Sequence, residues 1–454
     1  MEKNKFEIDM CNGPIMSKLI SFSVPLILSG MLQLMFNAVD IIVVGQFSGS
    51  TSLAAVGSTT ALINVFVNLF MGISLGANVV SARCYAMGRR EEMSKTVHTA
   101  MTIALVSGII MAVIGVIFAK GALLLMGTPE NVIDLSTLYM RIYFLGMPFF
   151  MLYNYGAAIL RAVGDTKRPL IFLVISGCIN AGINMLLVIV FDMGVAGVAI
   201  GTVISQFVSC ALVINCLYRT KSSYQLRFSK LKIEKDYMIQ IFQVGVPAGI
   251  QSTVINFSNA LLQSSVNSFG SVAMAGYTAA NNVLGFLYVS VNSITQACMS
   301  FTSQNYAVGK HKRMDRVLID CMVLSISVAL ILGGGAYLFG TYILNIYTSD
   351  ADVIKCGLEI LSITTVPYFF CGIMDLFPGA LRGMGYSTVP MILSIIGTVG
   401  VRILWIFVFF PMHRSLYFLF ISYPGSWIAT IVMQVICYML VRKKIASQGT
   451  LSND

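Results

Sequence analysis

Long stretches without a charged residue alternate with short segments rich in Lys and Arg along the whole chain. Between Lys18 and Arg83, Asp40 is the only charged residue among sixty-four. A membrane-spanning helix needs about 20 apolar residues, so residues 19–82 are long enough for two of them. Ten more spans are predicted where charges are absent or isolated, at 96–119, 142–160, 169–191, 193–218, 237–309 (two helices), 321–349, 356–381, 383–410 and 415–441. The pattern therefore predicts an all-α membrane protein with twelve transmembrane helices.

The composition agrees with this prediction. The 454 residues are 57% hydrophobic and 11% charged, whereas a soluble domain has about 25% charged residues. Residues 1–17 are polar and charged, which predicts that no cleavable signal peptide is present. The ten Cys lie mainly in apolar runs without metal-ligand spacing, so we expect them to pack helices.

The basic residues predict the orientation in the membrane. With the N-terminus inside, 24 of the 29 Lys and Arg residues fall in cytoplasmic segments, as the positive-inside rule requires. Four fall on the other side, and Arg402 lies inside a span. Both termini are therefore predicted to be cytoplasmic. The net charge of +10 is divided among seven separate segments, which fits the lipid bilayer and argues against a nucleic-acid partner.

The chain repeats itself after about 221 residues. "RCYAMGR" at 83–89 matches "QNYAVGK" at 304–310, and "AILRAVGDTKRP" at 158–169 matches "GALRGMGYSTVP" at 379–390. Each half has six predicted helices, an even number, so the two bundles are parallel repeats related by a pseudo-two-fold axis along the membrane normal. The predicted parts are a tail, a bundle, a basic linker, a second bundle and a second tail, at 1–17, 18–217, 218–238, 239–441 and 442–454.

Two similar bundles that enclose a central cavity are typical of a secondary transporter, which opens the cavity to alternate sides of the membrane. No GxxxxGK[ST] phosphate loop is present, so an ion gradient is the expected energy source. Four alternatives stay open: a scaffold without transport, a lipid-linked precursor flippase, an intramembrane enzyme and a channel. A flippase cavity should be rich in positive charge, yet Arg402 is the only base deep in a span. An enzyme is disfavoured because Asp40 and Asp375 fall in different halves.

Three features inside the spans are candidate functional sites. A carboxylate in hydrocarbon is costly, so Asp40 should face the bundle interior and be neutralised by a proton, a cation or donors; otherwise it serves helix packing. Pro25, about four turns before it, removes a backbone hydrogen bond and predicts either a hinge or a static kink. Asp375 and Arg402 are expected to form a buried pair, structural or functional.

Amides inside apolar runs of the first, second, seventh and eighth spans predict the lining of the cavity. Asn and Gln within a membrane also link helices by hydrogen bonds, which is the simpler interpretation. The predicted cavity-lining residues are Gln33, Asn37, Asn64, Asn68, Asn256, Asn259, Gln263 and Asn282.

The chain resembles the multidrug and toxic compound extrusion (MATE) family, in its DinF-like bacterial branch, from about residue 15 to 440. The resemblance is carried by the Pro25, Gln33, Asn37 and Asp40 pattern of the first helix, by "YAxG[KR]" at the ends of two spans, by "LRxxGDTxxP" and by "SYPGSW". It implies a secondary active efflux antiporter of the plasma membrane that acts as a monomer and needs no cofactor. Such a protein exports amphipathic, cationic small molecules, drugs or toxins, in exchange for H+ or Na+.

The resemblance also implies a polar cluster around the acid of the first helix. The positions carried over are Asp40, Asn154, Asn180 and Thr202. The family pattern "NxxxD" in the fifth span is Asn180…Asn184 in this chain, so an amide replaces the second acid. Asp40 is then the sole proton carrier of this half, or the carboxylate that holds Na+.

Overall fold

The structure is a computed structural model that describes residues 5–451. Every regular element in that range is helical. The N-terminal half contains seven α-helices, α1 to α7. They are α1 (Ile15–Phe47), α2 (Gly49–Ala86), α3 (Arg90–Leu125), α4 (Glu130–Leu145), α5 (Met147–Ala162), α6 (Lys167–Met185, continued by a π-helical turn at Leu186–Val190) and α7 (Gly194–Arg219).

The C-terminal half begins after a polar connection that holds a 3₁₀ turn at Phe228–Lys230. Its first helices are α8 (Lys235–Asn267), α9 (Ser271–Ala307), α10 (His311–Leu338), α11 (Gly340–Asn345), α12 (Ala351–Thr364) and α13 (Tyr368–Gly383). Its last helices are α14 (Thr388–Ser394), α15 (Val401–Leu404), α16 (Leu416–Phe420) and α17 (Ser422–Leu451). Two π-helical turns, Ile395–Gly400 and Trp405–Phe409, flank α15, and a 3₁₀ turn at Phe410–Met412 follows.

The twelve predicted spans are confirmed. Within residues 5–451, ten helices are long and apolar enough to cross a membrane, and two bent pairs bring the number to twelve when each pair counts as one span. The pairs are α4 with α5, bent by 46°, and α12 with α13, bent by 50°. Proline explains both breaks, because it lacks the N–H of a continuous helix: Pro148 is the second residue of α5, and Pro367 precedes α13.

The internal repeat is visible in the backbone. Gly164 and Gly385, 221 residues apart, have φ angles of 95° and 89°, a region that only glycine enters without strain. Gly88 and Gly309, also 221 apart, have φ angles of 69° and 70°. The two bent spans occupy equivalent places too. The fold class predicted from the sequence, two repeats of six spans, is confirmed.

The chain divides into two compact units. Unit 1 comprises the chain up to Met10 together with Val24–Gly249, and unit 2 comprises Cys11–Ser23 together with Ile250 to the end. One boundary therefore falls inside α1, two residues before Pro25, and the other inside α8, two residues after Pro247.

Close packing of small residues holds the helices of each unit together. Lipid tails are as apolar as Leu, so helices in a membrane associate through close packing and hydrogen bonds. In unit 1, Gly115 accommodates the ring of Phe144, and Asn78 donates a hydrogen bond of 2.9 Å to the carbonyl of Ala158. In unit 2, Gly379 lies against Thr295. These contacts fix the positions of the helices that carry the polar residues.

Candidate functional site: a polar cluster around Asp40

Unit 1 places three polar helix positions around the carboxylate of Asp40. Asn184 Nδ2 donates a hydrogen bond of 2.5 Å to Asp40 Oδ1 and lies 3.4 Å from Asn180 Oδ1. Asn180 and Asn184 stand one turn apart on α6 and are buried, whereas Asp40 is half-buried on α1. A short hydrogen bond from an amide N–H to a carboxylate is of the strong, charge-assisted kind. The Asn184 amide therefore stabilises the charged form of Asp40, whereas burial of the carboxylate opposes it.

The oxygen of the Asn184 amide has no hydrogen-bond partner among residues 5–451. Its Oδ1 is buried and accepts no hydrogen bond from any residue that the structure describes. It lies against Gly201 of α7, where a Cβ atom would overlap it. A buried polar atom left without a partner costs about 1–3 kcal/mol. Gly201 thus makes room for the Asn184 amide in an orientation that places Nδ2 on the carboxylate and leaves Oδ1 without a hydrogen-bond partner among the described residues.

Thr202 completes the cluster from α7. Its hydroxyl donates to the carbonyl of Val198 at 3.0 Å, and the side chain is also within hydrogen-bonding reach of Asp40. A hydroxyl has one hydrogen and two acceptor lone pairs, so it can donate to the backbone or to the carboxylate but not to both at once. Thr202 can therefore change its partner when the charge of Asp40 changes.

Asn154 is buried but is not joined to this cluster by a hydrogen bond. Its Nδ2 donates to the carbonyl of Phe150, one turn earlier on α5, at 2.8 Å. Of the five residues predicted as the coupling site, the structure brings together Asp40, Asn180, Asn184 and Thr202. The hydrogen bond of Asn154 to the backbone of its own helix competes with the predicted hydrogen bond to the cluster around Asp40.

Two tyrosines of α4 near the cluster were missed by sequence reasoning. Tyr139 and Tyr143 lie close enough to Asp40 for an electrostatic interaction, and their rings stack with centroids 6.1 Å apart. Their spacing of four residues places them on one helix face, and that spacing is the signal that could have found them. It was overlooked because charges at Glu130, Asp134 and Arg141 kept α4 largely outside the predicted span.

The first helix passes through Pro25 without interruption. Ser29 donates a hydrogen bond of 2.7 Å to the carbonyl of Pro25. Farther along, Phe36 packs against α6 where Gly177 has no side chain. The half of α1 that carries Asp40 is thus held against α6, and the hinge at Pro25 stays a prediction.

The predicted cavity-lining amides lie at or near the surface of their own units. Asn68 and Asn259 are half-buried, and the others are exposed, namely Gln33, Asn37, Asn64, Asn256, Gln263 and Asn282. Gln33, Asn37 and Asp40 share one face of α1, as residues three or four apart do. Their role in lining a cavity stays a prediction.

The prediction of a buried ion pair between Asp375 and Arg402 is wrong. Arg402 Nη1 donates to Asn259 Oδ1 at 2.7 Å and Nε donates to Ser426 Oγ at 3.2 Å. No ion pair within 4.0 Å joins Arg402 to an acid anywhere in the part of the chain that the structure describes. A π-helical turn precedes Arg402, and the extra residue it accommodates rotates the positions after it by about 100°, which a regular helical projection misses.

The comparisons with known proteins agree with this fold. The MatE family model matches residues 25–186 and again residues 247–408, one match in each half. The chain therefore belongs to the MatE family, and it is a membrane transporter rather than an enzyme. The predicted resemblance is confirmed.

Relatives and solved structures cover nearly the whole chain. "Probable multidrug resistance protein YoeA" of Bacillus subtilis (strain 168) is 29% identical over 433 residues, which are 93% of each chain. A solved structure of a multidrug resistance MATE family transporter in an outward-facing conformation matches with a TM-score of 0.89 and 18% identity, over 99% of this chain and 100% of that one. A structure of MATE in the bent conformation matches with a TM-score of 0.86 and 18% identity, over 98% of both chains.

Proposed function

We propose that the protein is a secondary active multidrug efflux antiporter. It exports amphipathic, cationic small molecules by alternating access, in exchange for H+ or Na+ that acts on Asp40. Membership of the MatE family and similarity to a probable multidrug resistance protein support export of small molecules. The coupling by Asp40 rests on one observation: the amide of Asn184 is turned toward the carboxylate while its own oxygen has no partner among the described residues.

The Asn184 amide is suited to distinguish the charge states of Asp40. A charged carboxylate accepts hydrogen bonds only, so it favours the N–H donors of the amide. A protonated carboxyl group donates one hydrogen, and a bound Na+ needs oxygen ligands, so both favour the amide oxygen. Turning the amide over would then give Oδ1 a partner. A ligand shifts a conformational equilibrium only through different binding to the two states, and the change of amide partner provides such a difference.

Asn184, an amide in place of the second acid of the family pattern, limits the coupling. An amide cannot carry a proton, so Asp40 is the one acid of the cluster and this half can move one proton in each cycle. The oxygens available to Na+ are those of Asp40, Asn180, Asn184 and Thr202, which fit a hard cation. The two coupling ions therefore remain alternatives at one site.

The hinge is proposed at Pro25. The boundary between the two compact units falls two residues before it, which supports a change of direction in α1 at this point. Neutralising Asp40 would weaken its hold on α6 and allow the helix to bend. One solved structure of similar fold is described as MATE in the bent conformation.

We place the transporter in the plasma membrane with both termini in the cytoplasm. The distribution of Lys and Arg supports this placement, because 24 of them fall in segments predicted to be cytoplasmic and four fall on the other side. The positive-inside rule associates the basic side with the cytoplasm. The chain is proposed to act as a monomer with small-molecule drugs or toxins as its substrates.

Proteoliposomes test this proposal. Purified protein is reconstituted, loaded with a fluorescent lipophilic cation, and exposed to a proton gradient, a sodium gradient or neither. Uphill movement of the dye under one gradient, and none without it, is expected and also identifies the coupling ion. Dye movement that is only downhill and equal under all three conditions would contradict antiport.

A further inference from the structure

Unit 1 carries an open apolar groove that the proposed antiport does not use. It has a volume of about 450 Å³ and lies between α5, α7 and the 3₁₀ turn that begins at Phe228. An aromatic pair lies at each end of the groove along α7: Phe149 meets Phe207 edge-on at 5.2 Å, and Tyr218 stacks on Phe228 at 5.7 Å. Smaller side chains line the space between the two pairs, namely Leu152, Cys210, Ala211 and Ile214. The groove therefore has room for a flexible hydrocarbon chain.

The length of the groove matches one leaflet of a bilayer. Phe207 and Tyr218 are eleven residues apart on α7, which is about 16 Å at 1.5 Å per residue. Half of the hydrocarbon core of a bilayer is about 15 Å thick. Tyr218 precedes Arg219, the last residue of α7, so the groove extends from the basic end of this span to its middle. Phe207 is 52% exposed and Tyr218 is 51% exposed, so an acyl chain can enter from the side.

Basic side chains without a counter-charge flank the basic end of the groove. Arg219 follows Tyr218, and Arg227 precedes Phe228. Gln225 joins Arg227 to the groove, because it accepts a hydrogen bond of 3.1 Å from Arg227 Nε and donates one of 3.1 Å to the carbonyl of Tyr218. Both arginines are exposed, and neither forms an ion pair with an acid in the part of the chain that the structure describes. Two such cations beside an apolar groove favour an anionic amphiphile and disfavour a cationic substrate.

A polar group lies between the basic end and the apolar part of the groove. Asn215 lines the groove, is exposed, and makes no side-chain hydrogen bond with any residue between 5 and 451. It stands four residues before Arg219 on α7, about 6 Å deeper in the membrane, where the polar interface of a bilayer gives way to hydrocarbon. An amide left against hydrocarbon is costly, whereas the ester oxygens of a phospholipid at this depth would accept its hydrogen bonds.

The connection that follows α7 is held in place by the protein itself. The backbone N–H of Leu226 donates to the carbonyl of Leu217 at 3.0 Å, and that of Arg227 donates to His98 Nε2 of α3 at 3.0 Å. These hydrogen bonds hold Phe228 against Tyr218. The groove is therefore formed by the protein alone, as most small-molecule sites are.

We propose that this groove binds an anionic phospholipid of the cytoplasmic leaflet. An acyl chain lies between α5 and α7, the ester oxygens accept hydrogen bonds from Asn215, and the phosphate contacts Arg219 and Arg227. Basic pockets at the cytoplasmic ends of membrane helices bind anionic head groups through the same interactions. The choice of leaflet rests on the proposed orientation, but the binding itself depends neither on the coupling ion nor on the exported substrate.

Native mass spectrometry of the purified, delipidated full-length protein tests the site. The protein is titrated in detergent with dioleoyl phosphatidylglycerol, with dioleoyl phosphatidylcholine, or with glycerol 3-phosphate. Each basic side chain near an anionic lipid raises the affinity about fivefold, so we expect phosphatidylglycerol to bind about 25-fold more tightly than the zwitterionic lipid. Glycerol 3-phosphate lacks acyl chains and should not displace it. Equal affinities for the two lipids would overturn the proposal, and displacement by glycerol 3-phosphate would overturn it in favour of a soluble anion.

A charge variant tests the contacts to the phosphate. The double variant Arg219→Gln with Arg227→Gln should lower the affinity for phosphatidylglycerol about 25-fold and leave that for phosphatidylcholine unchanged. The control Lys312→Gln with Lys443→Gln removes the same charge at two exposed positions of unit 2 and should keep the wild-type affinities. An equal loss in both double variants would overturn the site, because net charge alone would then explain the preference.

A larger side chain tests the position of the acyl chain. Ala211→Trp fills the groove and should weaken the binding of phosphatidylglycerol at least tenfold, whereas Ile171→Trp on the exposed face of α6 should not. Phosphatidylglycerol with a diazirine in its acyl chain gives a second readout on the wild type, and its adducts should concentrate on peptides that contain Leu152 or Ala211. Wild-type affinity in Ala211→Trp, or adducts spread evenly over the exposed helices, would overturn the groove as the binding site.

Discussion

Gly201 should set the pH dependence of efflux although it touches neither the substrate nor the ion. In Gly201→Ala, the new methyl group occupies the position of Asn184 Oδ1. Turning the amide over does not help, because Nδ2 would then meet the same methyl group. Asn184 must therefore move as a whole and give up its hydrogen bond to Asp40.

The magnitude follows from two opposing terms. Alanine is favoured over glycine in a helix by about 1 kcal/mol. The lost hydrogen bond to a charged group costs about 1.5–3 kcal/mol. The net loss of stability is therefore about 0.5–2 kcal/mol, or a fall of a few degrees in melting temperature. Removing a donor disfavours the charged carboxylate, so the profile of efflux against external pH should move upward by about one to two pH units.

The assay compares Gly201→Ala with Gly182→Ala. Gly182 lies on α6, two residues before Asn184, and a Cβ there would meet no atom within 4 Å. The control variant should keep the wild-type pH profile and melt at the same or a higher temperature. Melting is measured on detergent-solubilised protein, and efflux is measured in proteoliposomes over a range of external pH.

A wild-type pH profile in Gly201→Ala would refute the role of the Asn184 amide. An equal change in both variants would refute it as well, since the effect would then come from adding a methyl group to a helix. The double variant Gly201→Ala with Asn184→Ala relieves the overlap without restoring the hydrogen bond. It should therefore show the same shifted profile as Gly201→Ala rather than the wild-type profile.

Three further predictions follow from the same structure. Asn184→Asp places a second carboxylate beside the first, so the pair should share a proton and shift the efflux profile to higher pH; an unchanged profile would show that this position does not contact the coupling ion. Single cysteines at Lys230 and at Asp350, in a Cys-free background, should be labelled from opposite sides of the membrane, and labelling from one side would contradict the twelve-span topology. Gly164→Ala should lower the melting temperature more than Gly88→Ala: both have positive φ, but a Cβ at Gly164 also overlaps the backbone of the N-terminal segment, whereas that at Gly88 is open. Equal losses would show that the docked segment contributes nothing.

The fold was predictable because its signals are short patterns in the sequence. A membrane span is recognised by a long stretch of residues without charge. The repeat is recognised by matching motifs that lie 221 residues apart. The cluster of Asp40, Asn180, Asn184 and Thr202 was predictable only because the family resemblance carries its positions. No property of the α6 sequence alone shows that Asn184 turns its Nδ2 toward α1.

The remaining features of the candidate sites depend on side-chain contacts that a helical projection of the sequence does not show. Asn154 was assigned to the cluster, yet its amide is used by the backbone of its own helix. The pair of Asp375 with Arg402 was expected from their depth in adjacent spans, but the π-helical turns beside Arg402 alter its direction. Gly201 is visible only when the Asn184 oxygen is located beside it.

The charge of Asp40 is proposed to drive the transport cycle. Its most direct test is gradient-driven efflux by Asp40→Asn in proteoliposomes, with substrate binding and melting temperature measured on the same preparation. The variant resembles the protonated form, so it should fold and bind substrate but show no uphill efflux under either a proton or a sodium gradient. Efflux at the wild-type rate with the same ion dependence would show that the carboxylate serves helix packing and that coupling occurs elsewhere, with Asp375 as the next candidate.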